Sequence, residues 1–243
     1  MANFTVESAI HNSLVLFDKN WWQILIISFA IILVSSFLFF VSFNTPIPFD
    51  ILAIKLGRPG VTLSYILSGI KFGLIFGFLS IVWFKLFFEY VKNGNLSLKN
   101  FVFTRKLFKK VFYFLFAIAF LWHLSYIDSA FYFLIRISIG FLVILPCASF
   151  IIIGFIDGGN VFGSIKQGCL FYARNVVKIA TILFLLMLTI AVLTLVIVGP
   201  FFGMPFFAII MIYMYLRLKY GRTYVDALPK AIGTNETQEY EIT

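Results

Sequence analysis

Six long runs of apolar side chains constrain this chain more than any other feature: Ile24 to Phe43, Thr62 to Phe88, Val111 to Ile127, Ala130 to Ile153, Ile179 to Val198 and Phe201 to Leu218. A helix of about 20 residues rises ~30 Å, the thickness of a bilayer's hydrocarbon core. The expected fold class is therefore all-α, a polytopic helical membrane protein with six transmembrane helices. Composition agrees: of 243 residues 62% are hydrophobic and only 12% charged, about half the charge that an ordinary soluble surface carries. One membrane domain over residues 1–230 and a polar tail over 231–243 are expected. Glu7 and Asp18 stand where a signal peptide has a basic segment, so the first residues read as mature chain.

Lys and Arg are retained on the cytoplasmic side of a membrane. With six spans both termini share one face, and that face collects fifteen basic residues, among them Lys85, Lys92, Arg105, Lys106, Lys109, Lys110, Lys166, Arg174, Arg217 and Lys219. The other face has two, Lys55 and Arg58. Both termini are expected in the cytoplasm. Trp21, Trp22 and Tyr113 at inner ends, with Tyr65, Trp122 and Tyr126 at outer ends, fit aromatic belts.

Amphipathic segments precede the odd-numbered spans. In Val6 to Trp21 the apolar stripe is Val6, Ile10, Leu14, Phe17 and Trp21, with Glu7, His11, Asp18 and Lys19 opposite. In Asn160 to Lys178 it is Phe162, Ile165, Cys169, Tyr172 and Val176, with Lys166, Gln167, Arg174 and Lys178 opposite. Such helices lie in a membrane interface, so two or three amphipathic helices are expected on the cytoplasmic face. The basic segment Arg105 to Lys110, with Lys166 and Arg174, is expected to contact anionic headgroups, each cation contributing roughly 1 kcal/mol near the surface. It abuts a span, so lipid rather than nucleic acid is its expected partner. Asn20 and Asn175 fall just before spans one and five, and Gly94-Asn95 and Gly159-Asn160 stand 65 residues apart (159 − 94 = 65). These matches point to a threefold internal repeat of helical hairpins.

With Lys19-Asn20-Trp21-Trp22 before the first span, Pro146 in the fourth, and Ser164 and Arg174-Asn175 before the fifth, the chain resembles a group of small six-span bacterial membrane proteins. They include the membrane domain attached to some glycerophosphodiester phosphodiesterases. The resemblance implies a bacterial inner-membrane location and a fold. It implies no activity, because the catalytic domain of those enzymes is a separate soluble unit that this chain has no room for.

All ten acids lie outside the spans or at their ends. Coupled transporters commonly hold a carboxylate at membrane depth, and none stands there. His11 and His123 are the two histidines, which gives no spacing for a metal site. No cofactor, metal site or catalytic residue is expected. Cys147 and Cys169 carry no expected chemistry. The Gly-rich turn Asp157-Gly158-Gly159-Asn160 reads as a turn with an N-cap Asn.

Lys71 and Arg136 are cations inside spans two and four, with His123 at a similar level. They either line a pocket for an anion or a lipid phosphate, or snorkel to headgroups. Gly69, Gly73 and Gly77 form a stripe that lets a second helix approach, in this chain or in a second copy. The functional expectation is a non-enzymatic module that organises or regulates lipids or membrane-protein partners at the cytoplasmic leaflet. The alternative is a transporter or flippase for a small anionic or lipid substrate.

Overall fold

The computed structural model describes residues 4–44, 58–94, 96, 104–124, 138–194 and 199–221. The described residues contain helices and no strand. Three helical stretches are long and apolar enough to cross a membrane, Gly73–Asn93, Val161–Val192 and Phe201–Tyr220. A bent pair over Val6–Lys19 and Trp21–Phe37 would make a fourth if it is one span. The chain is thus a helical protein built for a membrane.

Helix α1, Val6–Lys19, starts at a reciprocal cap in which the Ser8 amide donates to Thr5 Oγ1 at 3.1 Å. It ends at Asn20, whose backbone (φ −129°, ψ 30°) leaves the helical region. Helix α2, Trp21–Asn44, then departs at 89° to α1. Helix α3 is Arg58–Asn93 and α4 is Arg105–Leu124. A π-helical turn, Gly140–Ile144, leads into α5, Leu145–Ile156. Helix α6, Val161–Thr194, runs through a kink at Asn175, and α7 is Gly199–Tyr220.

Two of these helices begin alike. Asn160 caps α6 by accepting from the Gly163 amide at 2.6 Å, three residues on, as Thr5 accepts from Ser8. Asn175 (φ −125°, ψ 18°) repeats the backbone of Asn20 within a few degrees in φ. Burial follows the same offset of 155 residues (175 − 20 = 155): Ala9 with Ser164, Ser13 with Gly168 and Ile24 with Ile179 are all buried, and Trp22 with Val177 are both exposed. The expected amphipathic helix and the fifth span thus meet at an asparagine kink inside α6, as α1 and α2 meet at Asn20.

The core centres on α7, which touches α1, α2, α3, α5 and α6. Its residues Ala208 to Leu216 are all buried. Helix α1 runs antiparallel along α7: Ser8 meets Arg217, Asn12 meets Tyr213, and Phe17 meets Phe206 and Phe202. The first half of α6 runs antiparallel along α5, with Ser164 beside Gly154 and Gly168 beside Ile151. Helix α4 packs on α3, where Gly73 and Gly77 abut Phe112.

The amphipathic stripes need correction. In α1 the protein-facing side is Ala9, Ser13, Leu16 and Phe17, roughly 75° around the helix from the expected stripe at 100° per residue. Leu14 and Trp21 are exposed, as are Phe162, Cys169 and Val176 of α6. Small residues (Ala9, Ser13, Ser164, Gly168) let these helices close on their neighbours; Phe17 is buried and Val6, Ile10, Ile165 and Tyr172 of the expected stripes still pack against the core, while Leu14, Trp21, Phe162, Cys169 and Val176 face outward. A hydrophobic stripe marks aversion to water, which lipid satisfies as well as protein does.

The third expected span falls in α4, whose first six residues hold Arg105, Lys106, Lys109 and Lys110. The fourth is described from Ser138 onward, with a shorter apolar stretch at Leu142–Ile156. The remaining part of it, including Arg136 and the expected turn at Asp128-Ser129, lies outside the described residues.

Candidate functional site

Helices α3, α5 and α7 end together at the basic end of the molecule. Each stops at a glycine with positive φ: Gly94 (71°), Gly158 (85°) and Gly221 (91°). That conformation ends a helix cheaply only without a Cβ. Three helix C-termini together put about half a negative charge each in one place, and cations gather there. The Asp157 carboxylate, nearly buried, accepts from Lys219 Nζ and from Tyr220 OH at 2.8 Å, with Lys92 Nζ at 3.9 Å. Lys110 is half-buried and donates to the Gly159 carbonyl at 2.7 Å. An acid at a helix C-terminus is repelled by the dipole, so Asp157 depends on these cations.

Arg217, one turn back on α7, is 4% exposed. Its Nη1 donates to Tyr213 OH at 2.9 Å and to Ser8 Oγ at 3.0 Å, while Asn12 Nδ2 donates to the same Tyr213 oxygen at 2.6 Å. On the other side of α1, Tyr90 OH donates to the Leu16 carbonyl and receives Asn20 Nδ2 at 3.3 Å. These bonds pin the elbow of α1 and α2 between α3 and α7. Buried hydrogen bonds such as these gain strength from the low local dielectric.

The elbow itself encloses an open groove of about 550 Å³, within the range of small-molecule sites. Leu14, Val15, Phe17, Trp21, Leu25 and Phe202 make its walls, and His11 and Asp18 stand on its rim. Apolar walls with an imidazole and a carboxylate at the edge fit an amphiphile. Neither the stripe nor the charge count revealed this groove, because it exists only once α2 turns away from α1.

The expected site residues are dispersed. Arg105, Lys106, Lys109, Lys166 and Arg174 are exposed, as membrane-surface contacts require. Lys110 departs from that expectation, its amine being turned inward to a carbonyl. Gly73 and Gly77 serve packing inside the chain, against Phe112; Gly69 lies in α3 with surroundings outside the described residues. Lys71 is half-buried on α3, near the level of Phe112. The His123 side chain and all of Arg136 lie outside the description. No group of three metal-ligating side chains occurs among the described residues. Asn160 takes its expected role as N-cap.

One proximity was invisible in the sequence: Cys147 Sγ and Cys169 Sγ lie 3.5 Å apart, across α5 and α6. Beside them Tyr172 OH donates to the Leu142 carbonyl at 2.9 Å. Pro146, four residues after Leu142, has no N–H to offer that carbonyl, and the tyrosine hydroxyl is a donor that reaches it.

Comparison of the chain with protein-family models, with curated proteins and with solved structures finds no match.

Proposed function

We propose that this protein is a non-enzymatic membrane module that binds phospholipid at the cytoplasmic leaflet and organises lipids or a partner there. The observation that carries the reading is the elbow groove of α1 and α2, with its apolar walls and its His11 and Asp18 rim. A zwitterionic headgroup presents an anion and an ammonium that complement those two side chains, and an acyl chain complements the walls. The outward-facing Trp21, Trp22, Phe162 and Val177, the last two 87% and 75% exposed, then sit in lipid rather than in water, and Arg105, Lys106 and Lys109 meet anionic headgroups.

In this reading the chain has six spans, lies in a bacterial inner membrane and keeps both termini in the cytoplasm. Helices α3, α5 and α7 run the same way, as even-numbered spans must. The three glycine-capped ends and the packing of α4 on α3, α6 on α5 and α1 on α7 support a ring of three hairpin units closed head to tail.

Native mass spectrometry of the gently extracted protein tests the lipid site. Leu14→Ser with Val15→Ser changes two exposed groove residues that the core does not use. The expected result is loss of a tightly held phospholipid adduct at unchanged melting temperature; adducts equal to those of the wild type refute the reading. The alternative, a transporter or flippase for a small anionic or lipid substrate through Lys71 and Arg136, predicts that Lys71→Met with Arg136→Met abolishes substrate movement in vesicles while the Leu14 and Val15 changes leave it intact.

A further inference from the structure

Gly168 is the residue that lets α6 approach α5. A Cβ there would lie 2.5 Å from Ile151 Cγ1 and 3.0 Å from the Ile151 amide, so the two backbones meet closely only because the side chain is absent. The next residue, Cys169, is thereby carried to Cys147, at 3.5 Å between sulfurs. Both are thiols. Closing from 3.5 Å to the ~2.05 Å of a disulfide asks for ~1.5 Å of side-chain movement. The pair is also asymmetric: Cys169 is exposed and Cys147 is half-buried. Accessible thiols react with oxidants first, and a shielded neighbour resolves the product.

We propose that Cys147 and Cys169 form a reversible disulfide, made on exposure to hydrogen peroxide, that locks the first half of α6 onto α5. The Cys169 sulfur attacks a peroxide oxygen; the O–O bond breaks, an S–O bond forms and one water leaves with the thiol proton. The Cys147 sulfur then attacks the sulfenic sulfur; the S–S bond forms, the S–O bond breaks, and the departing hydroxide takes the Cys147 proton to leave as the second water. Two thiols are oxidised and one hydrogen peroxide is reduced to two waters. A small-molecule dithiol reverses the step by exchange. The bond falls beside the Tyr172–Leu142 contact and closes the hairpin that turns at Asp157 to Asn160.

The test uses the full-length protein in lipid nanodiscs, treated with hydrogen peroxide, alkylated and mapped by peptide mass spectrometry. The expected product is a Cys147–Cys169 crosslinked peptide within one chain, lost on adding dithiothreitol. Cys147→Ser should instead leave Cys169 as a sulfenic acid that dimedone traps. Amide hydrogen exchange over 161–174 should slow several-fold in oxidised wild type and stay unchanged in oxidised Cys147→Ser, which reads the lock itself. The proposal is overturned if both thiols remain alkylatable in the folded, peroxide-treated protein, if crosslinks join only separate chains, or if exchange over 161–174 is the same before and after oxidation.

Discussion

Replacing Asp157 by asparagine tests whether the convergence of α3, α5 and α7 is held by charge. The carboxylate side chain is 4% exposed, while Lys219 and Lys92 keep 25% and 37% of their side-chain surface in solvent. Removing one member of a fully buried pair costs about 3–5 kcal/mol, but both lysines can rehydrate, which reduces the figure to the ~1.5–3 kcal/mol of a hydrogen bond to a charged group. Asparagine keeps an acceptor for Tyr220 and removes a repulsion from the α5 C-terminus worth ~0.5 kcal/mol. The net expectation is a loss of about 1–2.5 kcal/mol. Unfolding in mixed micelles, with sodium dodecyl sulfate titrated against a mild detergent, measures it. A double-mutant cycle with Lys219→Met isolates the pair, and a coupling of ~1 kcal/mol is expected, shrinking somewhat in high salt. A coupling near zero, or Asp157→Asn as stable as wild type, would refute the electrostatic account of this end.

Two further outcomes follow from packing and backbone satisfaction. Tyr172→Phe removes the hydroxyl that donates to the Leu142 carbonyl and should cost about 0.5–1.5 kcal/mol in the same titration. In a Pro146→Ala background, where an amide N–H is restored, that cost should fall below ~0.5 kcal/mol; equal costs in the two backgrounds would break the link. Gly73→Ala places a Cβ 3.1 Å from the Phe112 ring and 3.2 Å from its carbonyl oxygen, whereas at Gly77 the nearest atom is 3.7 Å away. The first should destabilise by about 1–3 kcal/mol and the second by less than half of that, a ranking that thermal unfolding checks.

Much of the candidate site was legible in the residue types and their places. The N-cap at Asn160 followed from a Gly-rich turn ahead of an apolar period, and the close approach at Gly73 and Gly77 from glycines four residues apart. The exposure of Arg105, Lys106, Lys109, Lys166 and Arg174 was readable because a charge beside a span has few other places to go, while what they contact belongs to the proposed function. Lys110 was not, since one lysine among four is singled out only by a carbonyl 49 positions away. Asp157 was legible as a turn residue and not as the acceptor for Lys219 and Lys92.

Sequence alone determined that the chain is helical and belongs in a membrane, because apolar runs of this length have no other low-energy solvent and their backbone must satisfy itself. It also marked Asn20 and Asn175 as matching positions. Tertiary structure decided which face of each amphipathic helix meets protein. A hydrophobic stripe reports only that water is avoided, while helix approach is set by the small residues beside it, Ala9 and Ser13 in α1, Ser164 and Gly168 in α6. That rotation of about 75° in α1 opens the groove at the first elbow, and the same close approach in α6 brings two cysteines together. Both depend on how a helix turns against its chain neighbour, at the bend between α1 and α2 for the groove and across the Asp157 to Asn160 turn for the cysteines, and the order of residues carries no record of that angle.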